Sequence, residues 1–371
     1  MDGNCKDNDE KHQLPPPKKN LLLKNNQYGM RAPEISIIVP VYQAEKWMRR
    51  CLDTIIAQSF VDWECILVDD GSTDDSGAVC DEYAARDNRF KVIHKENGGV
   101  SSARQVGLDI ARGTYVIHAD PDDYPHTDWL KSLHDKAIEE NADMTVCDSI
   151  FLNKKEAFKL QGCIKCDNRE DVLEDLISDR TWGTCWNRLV RKDCFDRFNI
   201  FFPTGMTYME DCYVCCMLLI NDIKVAYLPV VLYYYDNREN ENSLTNKINL
   251  QYLNSIKFFI DSIYPLTTDK RYDEGWYYRK SRFKEILFSY KSCPYNVQKT
   301  YPEINERYLN ELKDAKFMSQ RYGIALCLKG HHTIGYLVFH LAIWIKDSIS
   351  SFAKAYEHIV KNVGNEDSDC T

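Results

Sequence analysis

The chain has 371 residues, a formal net charge of -9, 44% hydrophobic and 28% charged residues, which suits a globular protein of one large or two ordinary domains. The acidic balance excludes broad nucleic-acid binding, which needs a basic face, but leaves room for a nucleotide held by local positive groups or a cation. Fifteen cysteines without regular spacing do not make a disulfide framework.

Residues 1–32 are polar and Lys/Asn-rich, include Pro15-Pro16-Pro17 and lack periodicity; they read as a disordered leader without signal-peptide features. Ser36 to Tyr42 is a β-branched apolar run, expected of a buried parallel strand. Met48, Cys51, Leu52, Ile55 and Ile56 then mark an amphipathic helix. Strands follow at Cys65–Val68, Phe90–His94 and Tyr115–Ile117, with helices over Asp75–Ala85 and Ser101–Ala111 between them. Gly113 stands where a helix stop is expected. Strands alternating with helices of this length predict βαβ units and a parallel sheet. Ligands of open α/β sheets lie beyond the carboxyl ends of the strands, so Pro40, Asp69-Asp70 and Asp120-Asp122 are expected at one edge.

After residue 150 the alternation fades, and residues 246–362 read as mainly helical, with a basic stretch from Lys270 to Lys284. The expected organisation is a domain over 33–245, divided near 130 into nucleotide-sugar and acceptor halves, then the helical region and a loose tail at 363–371. The apolar stretch Ile334–Ile345, broken by His340, is too short to span a bilayer. Tyr336, Phe339, Ile343 and Trp344 suit either peripheral docking on an anionic membrane or ordinary packing. Most cysteines, among them Cys51, Cys65, Cys80, Cys147, Cys212, Cys215, Cys216 and Cys327, sit in apolar stretches and read as small buried hydrophobes. Cys163-Ile164-Lys165-Cys166 lacks the second pair of a zinc ribbon. The expected compartment is the reducing cytosol, free or peripheral on the inner face of the membrane.

Four segments can carry chemistry. Asp120-Pro121-Asp122-Asp123 is either a site for a hard dication sharing carboxylates with substrate phosphates or a solvated acidic turn. Asp69-Asp70-Gly71-Ser72-Thr73-Asp74 can meet a base or ribose, or simply cap a helix. Asn97-Gly98-Gly99 before a helix offers N–H groups to an anion, with Arg104 one turn in; the alternative is an ordinary capped loop. Glu210-Asp211 heads an apolar helix, where a carboxylate is either a dipole partner or a general base for a hydroxyl. Trp182 and Trp186 read as sugar-stacking or core residues. His331 and His332 read as an added metal ligand or a solvated turn.

In this order and spacing, with Ser36-Ile37-Ile38-Val39-Pro40-Val41-Tyr42 and Glu45 ahead of them, these segments resemble glycosyltransferase family 2 over residues 34–245. The resemblance implies a GT-A fold, a Rossmann-like mixed and mainly parallel sheet flanked by helices. It also implies inverting, metal-dependent sugar transfer from a nucleoside-diphosphate sugar, usually of UDP, to a glycan or lipid-linked acceptor in cell-surface polysaccharide synthesis. Pro40, Val41, Tyr42 and Glu45 would then line the nucleotide pocket. Asp70 would bind the base, Gly99 and Arg104 the base or diphosphate, Asp120 the ribose and sugar, and Asp123 the donor sugar. Asp122 would ligate Mn²⁺ or Mg²⁺, and Asp211 would be the catalytic base. Trp186, Asn187, Arg188 and Arg238 would face acceptor or diphosphate. Gln105, Pro121 and His118-Ala119 depart from the family pattern. A nucleotidyltransferase and a non-catalytic sugar-nucleotide binder are the alternatives; the absence of a Lys-bearing triphosphate loop opposes the first and the intact carboxylate set the second.

Overall fold

The computed structural model describes residues 32–164, 166, 168–238, 248–289, 297–313 and 328. His331, His332 and the apolar stretch from Tyr336 to Trp344 lie outside them, as does the tail at 363–371. Two compact units are present: one runs to Lys247 and resumes over Asn254–Tyr272, and the other comprises Ile248–Leu253 and the chain from Asp273.

The first unit opens on four parallel strands, β1 (Ile35–Val41), β2 (Trp63–Asp69), β3 (Phe90–His94) and β4 (Tyr115–His118), in the spatial order β3-β2-β1-β4. Helices α1 (Met48–Ile56), α2 (Ser76–Arg86) and α3 (Val100–Ile110) connect them. Every residue of β1 and β2 is buried, as strands covered on both faces require. α1 buries Met48, Cys51, Leu52 and Ile55, the stripe expected from its spacing. Gly113 has a different task from the helix stop expected of it. Here α3 ends at Ile110, and a Cβ at Gly113 would come within 2.5 Å of the Ser36 nitrogen; glycine is required because two backbones nearly touch.

Beyond β4 come β5 (Tyr124–Pro125), α4 (Trp129–Glu140), β6 (Met144–Leu152), β7 (Ala157–Leu160), α5 (Arg169–Ile177) and β8 (Arg188–Arg191). They are followed by α6 (Asp193–Arg197), α7 (Glu210–Ile220) and β9 (Val225–Asp236). β8 runs antiparallel between β4 and β6, β9 is parallel to β6, and β5 closes antiparallel on β9. Among the described residues this makes one mixed sheet of nine strands, with β7 on β6. α8 (Leu250–Ile263) crosses the division between the units, and α9 (Asp273–Ser289) and α10 (Asn305–Lys313) belong to the second. No described helix is long and apolar enough to cross a membrane.

The free cysteines of the described residues are all buried, as their apolar settings predict. Cys163 and Cys166, the lone CxxC pair, are joined as a disulfide.

Candidate active site

In the parallel register Val41 lies beside Asp69 and Ile38 beside His118, so the residues that follow β1, β2 and β4 emerge at one edge. The second turn of α3 delivers Arg104 to it. α7 delivers Glu210 and Asp211, and its chain direction is set by Met209, which takes the left-handed conformation (φ 63°) just before the helix. A non-glycine residue there is strained and must be held by its surroundings.

These segments meet at the Arg104 guanidinium, which is 3% exposed. Its Nη2 donates to Asp120 Oδ1 at 2.8 Å, while Nη1 donates to Glu210 Oε1 at 2.5 Å and to Asp211 Oδ1. The other oxygen of Asp211 accepts the Cys185 N–H at 3.1 Å. Asp120 is anchored through its own N–H, which donates to Tyr233 Oη at 3.0 Å. Three carboxylates around one cation leave an excess of negative charge. Burial raises Glu210 to about 7, with Arg104 opposing and Asp211 adding to the rise. Asp211 is raised by burial, against the pull of Arg104. His118, buried beside them with its ring against Phe202, is pushed well below the imidazole range by burial and then by the Arg104 charge, so it is neutral.

The Glu210 shift has a consequence for stability. Between its ordinary 4.5 and about 7, the folded state retains a proton that the unfolded chain has released. Unfolding therefore releases a proton in that window, and stability falls as pH rises through it and levels off above. Glu210→Gln removes the effect. Relative to wild type, the variant is expected to gain about 3 kcal/mol between pH 4.5 and 8, read by urea unfolding at the two pH values; a difference independent of pH would contradict the shift.

The other expected site residues are placed as follows. Asp70 is buried, and its oxygens are taken by the Lys95 ammonium and by the N–H groups of Gly98 (3.0 Å) and Gly99 (2.8 Å). The glycine loop thus gives its N–H groups to Asp70, in place of the anion expected there; Gly99 is needed for its φ of 85°, since a Cβ would meet only open space. Pro40 and Val41 are buried within β1, while Tyr42 stands 53% exposed after it. Glu45 accepts the Asp75 N–H at 2.9 Å. Asp123, expected to face the donor sugar, is 0% exposed and accepts the Asp236 N–H at 2.9 Å. Burial, then Asp122 and Asp120, push its carboxyl well above the usual range, and it ties the acidic run to β9. Gln105 accepts the Phe202 N–H at 2.8 Å and donates to Asp109.

The segment expected to face the acceptor points into the protein. Trp186 is buried and stacks on Tyr233 at 4.5 Å. Asn187 donates to the Cys147 carbonyl at 3.0 Å, and buried Arg188 donates to the Thr184 carbonyl and to Asn187 Oδ1. All three are buried, Arg188 at the start of the interior strand β8 and the other two just before it. Arg238 is exposed and binds Asp236 through Nε and Nη2. From the other side Arg50 reaches Asp236 Oδ2 at 2.7 Å and the Asp122 carbonyl at 2.7 Å, with its guanidinium over the Tyr124 ring. Hydrogen bonds from Arg238 and Arg50 overcome burial and hold Asp236 down to about 2. Arg50 carries no signal in sequence: it lies on the polar face of α1, where an arginine reads as solvated.

The residues present fit a hard dication by the chemistry of their donor set. The carboxylates of Asp120 and Asp122, two residues apart and half-buried beyond β4, offer only oxygen. Among the described residues no three His, Cys, Asp or Glu side chains form a cage, so phosphate oxygens and water would have to complete the shell.

The profile described as Glycosyl transferase family 2 matches residues 36–191, the span that holds β1 to β8. Glycosyltransferase GlyG of Streptococcus pneumoniae is 39% identical over 217 residues, covering 55% of the chain and 71% of GlyG. The chain belongs to glycosyl transferase family 2. Glycosyltransferase EpsJ of Bacillus subtilis is 34% identical over 219 residues, 57% of this chain and 63% of EpsJ, so the chain spans less than two thirds of that relative. Among solved structures, S. aureus TarS 1-349 in complex with UDP-GlcNAc aligns over 83% of this chain and 90% of its own, with a TM-score of 0.57 at 20% identity. That likeness is one of fold, and it establishes the GT-A architecture of this family 2 chain.

Proposed function

We propose that this family 2 chain transfers a sugar from a nucleoside-diphosphate sugar, a UDP-sugar in our reading, to a hydroxyl of a glycan or lipid-linked glycan, with inversion, in cell-surface polysaccharide synthesis. The observation that carries this reading is the meeting of Asp120, from the end of β4, and Asp211, from the head of α7, on one guanidinium. Donor edge and base are thereby held within one side chain of each other.

In this reading Tyr42 and Glu45 border the nucleotide, and Asp70 shapes the glycine loop beside it. Asp211 takes the proton of the acceptor hydroxyl; the oxygen attacks the anomeric carbon as its bond to the diphosphate breaks, and the nucleoside diphosphate departs from the opposite face. Asp122 would hold Mn²⁺ or Mg²⁺, with Asp120 alongside; such an ion, when bound, neutralises the leaving diphosphate. Arg50, by gripping the Asp122 carbonyl, fixes where that carboxylate stands. TarS, crystallised with UDP-GlcNAc, supports a UDP-sugar donor by likeness of fold.

A thermal-shift panel of UDP- and GDP-sugars with Mn²⁺, followed by nucleotide-release assays on the binders, tests the proposal; no shift with any of them would overturn it. Asp122→Ala is expected to weaken donor binding at least about tenfold in Mn²⁺ and to abolish its sensitivity to EDTA. Equal wild-type titrations with and without EDTA would remove the metal role.

A further inference from the structure

An aromatic row runs outward from the acidic segment. It begins at Tyr233, fully buried, whose hydroxyl accepts the Asp120 N–H. Trp186 stacks on Tyr233 at 4.5 Å and lies near-parallel to Tyr235 at 6.2 Å. Tyr235 stacks on Phe151 at 5.3 Å, its partner in the β6–β9 ladder, and Phe151 meets Phe158 at 4.9 Å across the β6–β7 ladder. Trp182 stands nearly perpendicular to both Phe151 and Tyr235, each 5.7 Å away. The row is buried at its Asp120 end and open at the other, where Trp182 is 40% exposed and Phe158 42%.

Trp182 is also tied to the base. The next residue, Gly183, lies against the first turn of α7, where a Cβ would come within 2.7 Å of the Cys212 Cα. Two residues further, the Cys185 N–H donates to Asp211 Oδ2 at 3.1 Å. The exposed indole is therefore held beside the head of α7 by two contacts to the residues that carry and follow the base. A lone exposed tryptophan needs no explanation; one braced by two aromatic rings and tethered to a candidate base is a prepared surface.

We propose that Trp182, braced by Phe151 and Tyr235, is the platform on which the acceptor sugar lies, resting on the reading of Asp211 as the base that accepts its proton. The ligand class is a pyranose with C–H bonds gathered on one face, which packs on an aromatic ring while its opposite edge keeps its hydroxyls free to be activated. Trp186 has no part in this contact, since it is buried.

Saturation-transfer NMR of the full chain with methyl β-D-glucopyranoside, methyl β-D-galactopyranoside and the methyl β-glycoside of N-acetylglucosamine, in the presence of a nucleotide sugar, tests this. At least one glycoside is expected to show transfer strongest at the ring protons of one face, weakened about tenfold in Trp182→Ala and largely kept in Trp182→Phe. A thermal shift by the nucleotide sugar, recorded on the same samples, separates the two readings. Absence of that shift in wild type overturns the proposed function and this inference with it. A retained shift together with glycoside signals that are absent in wild type, or identical in Trp182→Ala, overturns the platform alone. Loss of signal in the alanine variant accompanied by loss of folded-state dispersion leaves the phenylalanine variant to decide, and a signal lost there as well overturns stacking as the mode of contact.

Discussion

Asp211→Asn is expected to lower sugar transfer by about 10²–10⁴ while leaving the donor's thermal shift in place. The substitution conserves shape, so an amide can still accept the Cys185 N–H that now binds Oδ2 at 3.1 Å. Arg104 keeps its bonds to Asp120 and Glu210, so the donor edge is not dismantled. What is lost is the capacity to take a proton. Burial raises the Asp211 carboxyl above its ordinary value, with Arg104 opposing, which strengthens it as a base. Wild-type transfer should therefore climb with pH as the coupled Glu210–Asp211 pair loses its protons, and the Asn variant should lose that rise together with its rate. Transfer at the wild-type rate would remove Asp211 from the chemistry.

The first half of the molecule was legible because its structure is local. The change from a β-branched run at Ile35–Val41 to a helical stripe at Met48–Ile56 announces a βαβ unit without reference to any distant residue, and the following strands and α3 repeat it. The site was legible only as a set of residue types at one sheet edge. Its wiring depends on contacts that no local pattern encodes. Arg104 meets Glu210 and Asp211 across more than a hundred residues, and Arg50 meets Asp236 across 186. The head of α7 depends on Met209 at positive φ, a conformation its side chain does not advertise. Trp186, Asn187 and Arg188 were assigned to the acceptor by position within a motif, whereas burial and long-range contacts give them packing and hydrogen-bonding tasks. Trp182, four residues earlier and on no regular element, is the residue of that segment left exposed.

Arg104→Met should have the largest effect on stability. The guanidinium is buried and is the shared partner of Asp120, Glu210 and Asp211. Its removal leaves those carboxylates facing one another without it, a situation that costs about 3–5 kcal/mol when one side of a buried ionic cluster is deleted. The loss should be greatest at pH 8 and smaller near pH 5. Glu210, at about 7 even beside Arg104, gains a higher pKa still when that charge is gone, so protonation relieves the repulsion as pH falls. Arg104→Lys should recover only part of the deficit, because a point charge cannot fork between Asp120 on one side and the Glu210–Asp211 pair on the other. The decisive comparison is Arg104→Met with and without Glu210→Gln, by urea unfolding at pH 8. If the cluster is governed by charge, the second substitution restores stability to the first; if Arg104 matters for the volume it fills, Glu210→Gln has the same effect with and without Arg104.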